Sequence, residues 1–138
     1  MMEKEPPEPE KPLGTVVIGT LEPDMHETPK EMVRKALKRA GFKTVDLGKA
    51  ASPQNFAAKA KEVNADIIAV SINTKPAKDN IPKLNQAIVD AGLKEKVILM
   101  IGGAAVTKED ADAIGAFYGK SKEEAVAIAQ KAIGERKK

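Results

Sequence analysis

Residues 96–103, KVILMIGG, decide the fold of this 138-residue chain. Five consecutive apolar residues stand there between a lysine and a pair of glycines. A run of that length is typical of a strand, and its lack of polar alternation indicates that both faces of the strand are buried. Strands covered on both faces occur in parallel sheets with helices on either side. This stretch therefore predicts the interior of an α/β domain.

Outward from this stretch, short apolar runs alternate with segments of helical periodicity. The predicted strands are residues 15–20, 43–47, 66–71, 96–103 and 116–118. The predicted helices are residues 29–41, 52–64, 80–92, 107–115 and 121–134. This alternation predicts a three-layer α/β/α fold around a five-stranded doubly wound parallel sheet, Rossmann-like or flavodoxin-like, with the strand order 2-1-3-4-5.

Helix boundaries are predicted from local capping signals. In the first helix, Thr28 is expected as the N-cap, Pro29 at the first helical position, and Glu31 as the partner in a capping box. Met32 is expected on its buried face, and Gly41 is expected to end it. The later helices carry similar N-terminal signals: Ser52 with Pro53, Thr107 with Asp110, and Ser121 with Glu124.

Composition limits the class of protein. Residues 1–12, MMEKEPPEPEKP, are predicted to be a disordered tail, and residues 13–138 are predicted to form one domain. The absence of cysteine excludes disulfides and thiolate metal sites and fits a cytoplasmic protein. No apolar run approaches the ~18 residues that a membrane span needs. The net charge of +3 comes from dispersed lysines and arginines, so nucleic acid is not an expected partner.

A ligand site is expected between the first and third strands. In doubly wound sheets, ligands bind beyond the carboxyl ends of the strands, at the point where the strand order reverses. Residues 20–28 and 72–79 flank that point, and both segments are longer and more polar than a simple connection requires. The first of them contains the only histidine of the chain, His26, two residues after Asp24. The alternative interpretation is an ordinary solvated loop histidine.

Several ligands of this architecture lack their sequence signals here. A receiver domain would carry its aspartate where Ser71 stands, and a dinucleotide site would need a G-x-G-x-x-G motif where only Gly19 is present. One histidine and no cysteine disfavour a hydrolytic zinc site, although Asp24, His26 and Glu27 could bind a hard cation weakly. A corrinoid fits better, because it requires a single axial nitrogen from the protein, and Asp24 could orient that imidazole.

Three short motifs carry a resemblance to the cobalamin-binding domain family. Asp24-Met25-His26-Glu27-Thr28-Pro29 resembles the family's D-x-H-x-x-G, Ser71-Ile72-Asn73 resembles its S-x-L, and Gly102-Gly103 matches its glycine pair. The stretches AGFKTVDLG and KVILMIGGAAVTKEDADAIGA are also similar to the family. The chain is most similar to the corrinoid proteins of methyltransferase systems and to the cobalamin module of methionine synthase.

The resemblance implies roles for these eleven residues in cofactor binding. His26 would replace the cofactor's own benzimidazole as the lower cobalt ligand. The displaced nucleotide tail would enter a slot beside the sheet, lined by the Ser71 motif and the glycine pair, where glycines leave room. The cofactor would be methylcobalamin or a related corrinoid. The protein would have no turnover of its own and would carry a methyl group on cobalt between partner methyltransferases.

Two positions depart from the family pattern and keep alternatives open. Pro29 stands in place of a glycine, and Asn73 in place of a leucine, which is expected to put a polar side chain into an apolar slot. One alternative is therefore a degenerate or cobalamin-responsive interaction module. Another is the small subunit of an adenosylcobalamin-dependent mutase, completed by the large subunit. Whether the domain is a methyl carrier or a mutase subunit, it is expected to dock onto a partner that covers the upper corrin face. The expected docking surface is formed by residues 20–28, 72–79 and 104–106.

Overall fold

The sheet contains five parallel strands in the order β2-β1-β3-β4-β5. The computed structural model describes residues 4–136. The strands are β1 (Thr15–Thr20), β2 (Lys43–Asp46), β3 (Ile67–Ser71), β4 (Ile98–Gly102) and β5 (Phe117–Tyr118). The predicted parallel sheet and its strand order are confirmed. Residues 137–138 of the predicted domain lie outside the described residues.

Six helices connect and cover these strands. They are α1 (Thr28–Arg39), α2 (Pro53–Glu62), α3 (Lys75–Lys78), α4 (Ile81–Asp90), α5 (Lys108–Asp112) and α6 (Lys122–Arg136). Five of them correspond to the predicted helices. The short helix α3 was not predicted and lies within residues 72–79, which were expected to be a loop. Thr74 caps it by accepting a hydrogen bond from the Ala77 backbone N–H, over 3.4 Å.

Two apolar clusters fill the space between the three layers. On one face of the sheet, Val17 and Ile68 pack with Phe56 of α2 and Leu84 of α4. On the other face, the neighbouring strand residues Val16, Ile18 and Ile67 pack with Leu37 of α1 and Ile133 of α6. Neighbouring strand residues thus alternate between the two clusters, as expected for strands buried on both sides.

The register of the central strands aligns their carboxyl ends. Thr20 at the end of β1 pairs with Ser71 at the end of β3, and Ser71 pairs with Gly102 at the end of β4. The segments that follow these three residues therefore leave the sheet from one edge. This is the edge at which the sequence predicted a site.

The start of α1 differs from the prediction. Glu27 is the N-cap and makes no capping bond through its side chain, whereas Thr28 is already helical. The predicted capping box between Thr28 and Glu31 is therefore wrong. Glu31 is instead engaged by Arg34, whose Nε lies 2.7 Å from its carboxylate, and by Lys30 at 3.1 Å.

Other predicted details of the helices have mixed outcomes. Met32 is 47% exposed, so its predicted burial is wrong, whereas Gly41 adopts φ +105° just beyond α1, as predicted for a terminating glycine. The predicted caps at Ser52 and Ser121 accept backbone hydrogen bonds at 3.1 and 3.2 Å, and the Thr107 capping box is complete.

The N-terminal segment contacts helix α1. Residues 1–3 of the predicted tail lie outside the described residues, and residues 4–12 contain no helix or strand. Glu5 pairs with Arg34 and Lys38 at 2.6 Å each. The disorder of residues 1–12 stays a prediction. The ion pairs of Glu5 argue against it, because they tie this segment to α1.

Candidate functional site

Asp24 is the centre of a hydrogen-bond cluster at the carboxyl edge of the sheet. Asp24 is buried, with 1% of its surface exposed. Oδ1 accepts a hydrogen bond from the backbone N–H of His26 at 3.0 Å and lies 2.7 Å from Nδ1 of the same residue. Oδ2 accepts from the backbone N–H of Asn73 at 2.6 Å and from its side-chain Nδ2 at 3.1 Å. Both carboxylate oxygens are thus used twice.

These contacts keep the Asp24 carboxyl ionised. Burial by itself raises the pKa of Asp24, but the hydrogen bonds from His26 and Asn73 outweigh burial and hold the pKa below its usual value. An ionised carboxylate only accepts hydrogen bonds, so the ring nitrogen that faces it, Nδ1 of His26, carries the proton between the two side chains. Nε2 is then the basic nitrogen of a side chain that is 62% exposed.

The backbone of the loop holds His26 in place. The Thr20 hydroxyl donates to the His26 carbonyl at 2.9 Å, and Thr20 is fully buried. The Asn80 side chain donates to the Glu22 carbonyl at 2.8 Å. The segment that presents the imidazole is therefore tied to β1 and to the start of α4 independently of the imidazole itself.

Asn73 does not occupy the position expected from the sequence. Among the described residues, it is not part of the wall of the cavity described below. Its amide donates to Asp24 and also to the Ser71 hydroxyl oxygen at 3.0 Å, while its Oδ1 accepts from the Ala104 N–H at 3.2 Å. The expectation of a polar side chain in an apolar slot is wrong, because the buried carboxylate of Asp24 attracts the amide.

A cavity of about 220 Å³ opens between the sheet edge, α1 and the start of α6. This volume is below the ~300–1,000 Å³ of pockets that enclose whole ligands, so the cavity suits one part of a larger molecule. Its wall includes four of the eleven predicted site residues: Pro29, Ser71, Gly102 and Gly103.

The two glycines line this cavity, but their backbone neighbours are what require them. A Cβ at Gly102 would lie 2.4 Å from the Gly119 carbonyl oxygen, and a Cβ at Gly103 would lie 2.2 Å from the Ile72 carbonyl oxygen. Gly103 also has φ +122°. The glycine pair thus permits a close approach of three chain segments, in addition to leaving side chains out of the cavity.

The remaining predicted residues separate into exposed and buried groups. Met25 is 59% exposed beside His26, and Glu27 and Thr28 are exposed at the start of α1. Ile72 is fully buried in the core cluster that contains Val17. Its side chain therefore supports the β3 loop from beneath and does not face the cavity.

Sequence reasoning missed two parts of the cavity wall. One is Lys30 of α1, which is 1% exposed and places Nζ 2.8 Å from the Asp46 carboxylate. The other is the segment after β5, of which Gly119, Lys120 and Ser121 line the cavity. Gly119, directly after the last strand, is the sequence signal that could have indicated this segment. The segment lies away from the reversal of strand order, where the rule for doubly wound sheets predicts the ligand.

The part of the chain that the structure describes contains no metal site formed by the protein alone. Within residues 4–136, no group of three or more histidine, cysteine, aspartate or glutamate side chains could hold a metal ion. In the same described part of the chain, no helix is both long and apolar enough to cross a membrane.

Comparison with known proteins places this geometry in a family. The model of the B12 binding domain matches residues 14–129, which include the Asp24–His26 pair, Ser71 and both glycines. The chain belongs to the B12-binding domain family. The family expected from the three motifs is therefore confirmed.

Known members resemble the chain over one domain. The trimethylamine corrinoid protein 1 of Methanosarcina acetivorans is 46% identical over 112 residues, which cover 80% of this chain and 52% of that protein. The dimethylamine corrinoid protein 1 of Methanosarcina mazei is 39% identical over 124 residues, which cover 89% of this chain and 57% of that protein. This B12-binding domain thus spans a little over half of those relatives.

Solved structures share the fold. A cobalamin-binding protein from Desulfitobacterium hafniense has a TM-score of 0.79 at 28% identity, covering 86% of this chain and 58% of that one. A chain of the methanol:cobalamin methyltransferase complex from Methanosarcina barkeri has a TM-score of 0.85 at 24% identity, covering 90% and 48%. The second likeness supports the fold alone.

Proposed function

We propose that this domain binds a corrinoid, with Nε2 of His26 as the lower axial ligand of cobalt, and that it carries a methyl group between partner methyltransferases. The single observation that carries the proposal is the Asp24–His26 pair at the carboxyl edge of the sheet. Neither residue is part of the cavity wall, but that wall includes the strand ends Ser71 and Gly102 of the same edge. The pair thus provides one exposed ring nitrogen at this edge in a chain of the B12-binding domain family. When bound, the corrinoid supplies a cobalt centre that can accept and release a methyl group.

The residues present fit such a cofactor. A corrinoid leaves only an axial position for the protein, and the imidazole is 62% exposed, with Nδ1 already engaged by Asp24. The hydrogen bond to a carboxylate fixes the tautomer of a ligating histidine and increases its basicity. The cavity, too small for the macrocycle, suits the displaced nucleotide tail, with Ser71 and Gly102 in its wall.

The relatives favour a methyl carrier over a mutase subunit. Those that are 39% to 46% identical are named as trimethylamine and dimethylamine corrinoid proteins. We therefore propose methylcobalamin or a related corrinoid as the cofactor, methyltransferases as the partners, and the cytoplasm as the location.

The axial ligand can be tested by electron paramagnetic resonance of the Co(II) form. We expect hyperfine coupling to one axial nitrogen, and the coupling pattern should change from ¹⁴N to ¹⁵N when the protein is labelled and the cofactor is not. Coupling that follows a label in the benzimidazole would show that His26 is not the ligand.

Substitution of the histidine provides the matching control. His26→Ala removes the imidazole but keeps the backbone contacts with Thr20 and Asp24. We expect an unchanged circular dichroism spectrum and loss of the protein-derived nitrogen coupling. A variant that retains that coupling would contradict the proposal.

A further inference from the structure

We infer that Asn73 is a positioning residue for the axial ligand, because its side chain holds the Asp24 carboxylate in the orientation in which Asp24 orients the His26 imidazole. The inference rests on the proposed function, which it deepens. Three hydrogen bonds of the Asn73 side chain, to Asp24, Ser71 and Ala104, carry it.

The orientation of the Asn73 amide follows from its neighbours. The backbone N–H of Ala104 can only donate, so the atom that faces it must be the carbonyl oxygen Oδ1. The ionised carboxylate of Asp24 can only accept, so the atom that faces it must be Nδ2. The two contacts require the same orientation of the amide. A flipped amide would place Nδ2 against the Ala104 N–H, a donor against a donor, and Oδ1 against the Asp24 carboxylate, an acceptor against an acceptor.

This orientation fixes the carboxylate as well. Oδ2 of Asp24 receives the backbone and side-chain N–H groups of Asn73, a residue 49 positions away in sequence. Oδ1 is then left for the backbone N–H and Nδ1 of His26. Without the Asn73 amide, the carboxylate would keep one fewer partner on its far side and could rotate, so the imidazole would lose a fixed acceptor.

Asn73 also determines what Ser71 can do. Nδ2 donates to the Ser71 oxygen at 3.0 Å, so the hydroxyl hydrogen of Ser71 is free to be donated elsewhere. Ser71 lines the cavity. One amide thus orients the imidazole on one side and polarises a hydroxyl of the cavity wall on the other.

The test uses nitrogen NMR of the ¹⁵N-labelled protein without cofactor, at alkaline pH. His26 is the only histidine, so its two ring nitrogens give a single set of signals. We expect the Nδ1–H tautomer to dominate in the parent protein. Asn73→Leu, which keeps the branching of the side chain but removes its polar atoms, and Asn73→Ala, which removes the amide, should each shift the tautomer ratio at least about threefold towards Nε2–H. The same variants should bind cobalamin about 10-fold more weakly.

Asn85→Leu is the matched control. Asn85 is also partly buried, but it lies in α4, and its side chain accepts a hydrogen bond from Lys94 and does not contact the loop of Asp24 and His26. It should leave the tautomer ratio unchanged. Folded Asn73 variants with the parent's ratio would overturn the inference, and so would a parent protein in which Nε2–H dominates.

A measurement on the unsubstituted protein covers the case in which the variants fail to fold. The side-chain amide protons of Asn73 should exchange with water at least about tenfold more slowly than those of the exposed Gln54. Equal exchange would overturn the inference. A tautomer shift in a protein that binds no cobalamin would instead overturn the proposed function and leave the positioning role intact.

Discussion

At the scale of single residues, the site depends on one buried carboxylate. Asp24 accepts two hydrogen bonds from its own loop and two from Asn73. Hydrogen bonds to charged groups contribute about 1.5–3 kcal/mol, more than neutral ones. Asp24 therefore holds together two loops distant in sequence while it orients the imidazole, which explains why a charged residue is stable at 1% exposure.

Replacement of this carboxylate tests its role in binding. Asp24→Asn keeps the size but gives the imidazole and the Asn73 amide a neutral partner with only one acceptor oxygen. Loss of such a partner typically lowers metal affinity about 10- to 100-fold, and we expect a decrease of that size in cobalamin affinity. A spectroscopic titration measures it. Asp90→Asn, at an exposed aspartate of α4, is the control. If Asp24→Asn bound cobalamin with the affinity of the parent protein, Asp24 would have no role in cofactor binding.

At the scale of elements, the site is built by the aligned ends of β1, β3 and β4. The pairing of Thr20 with Ser71 and of Ser71 with Gly102 brings three connecting segments to one edge. The turn after β4 passes so close to Ile72 that only a glycine fits at residue 103. The spacing of these ends is thus a property of the backbone, and the side chains of the site depend on it.

Two glycine substitutions with opposite expected signs test this packing. Gly103→Ala places a Cβ 2.2 Å from the Ile72 carbonyl oxygen, on a residue whose φ is +122°. The backbone strain alone should lower the free energy of unfolding by about 1–3 kcal/mol, and the steric clash should lower it further. Gly134→Ala adds a Cβ within α6 where no atom lies within 4 Å and should raise it by about 0.5–1 kcal/mol. Urea unfolding measures both. A tolerated Gly103→Ala would show that the turn can move.

Helix α1 is held beside the cavity by a charged cluster. Lys30, Glu31 and Arg34 form it with Asp46 of β2 and Glu5 of the N-terminal segment. The hydrogen bond from Arg34 is the main cause that lowers the pKa of Glu31 to about 2, against the opposing effect of burial and with a further contribution from Lys30. Glu31 is thus ionised throughout the physiological range.

This pKa predicts a pH dependence of stability. Since the pKa of Glu31 is lower in the folded than in the unfolded protein, its stabilisation is complete above about pH 4.5 and is lost as the pH falls towards 2. Glu31→Gln should therefore cost about 1 kcal/mol at pH 7 and progressively less below pH 4.5. Urea unfolding at pH 7, 4.5 and 3 measures the difference, and Glu123→Gln, at an exposed residue of α6, is the charge control. An equal cost at pH 7 and pH 3 would contradict the assignment.

At the scale of the whole molecule, the face that presents His26 is open. His26 and Met25 are 62% and 59% exposed, although the sheet beneath them is buried. The domain spans 52% of its trimethylamine relative. A corrin ring bound at this face from one side would leave a contiguous apolar surface exposed, and such surfaces often mark an interaction site for another protein. In the proposed function, that protein is a methyltransferase.

We predict that a partner covers this face when the cofactor is bound. Cobalamin affinity should increase in the presence of a methyltransferase that docks on residues 20–28, 72–79 and 104–106, because a partner that binds only the loaded form stabilises it by linkage. The measurement is affinity with and without the candidate partner, and His26→Ala is the control for binding through the axial ligand. Equal affinity in both, with the cobalt shielded from solvent in the lone domain, would show that no partner lid is needed.

The architecture, and the edge of the sheet at which the candidate site lies, could be predicted from the sequence. Apolar runs such as residues 96–103 and helix signals such as Gly41 and Ser52 act locally, so they can be read without knowing what packs against them. The rule that parallel strands present their carboxyl ends at one edge then placed His26 there.

The contacts that hold the site together could not be predicted from the sequence, because they join distant parts of the chain. Asn73 interacts with Asp24 across 49 residues, and Glu31 serves Arg34 and Lys30 instead of capping its own helix. The cavity wall also includes Gly119 and Ser121 from beyond the last strand. A side-chain hydrogen bond goes to whichever partner the register and the packing bring within about 3 Å. That partner is set by distances between segments far apart in the chain, which no local pattern contains.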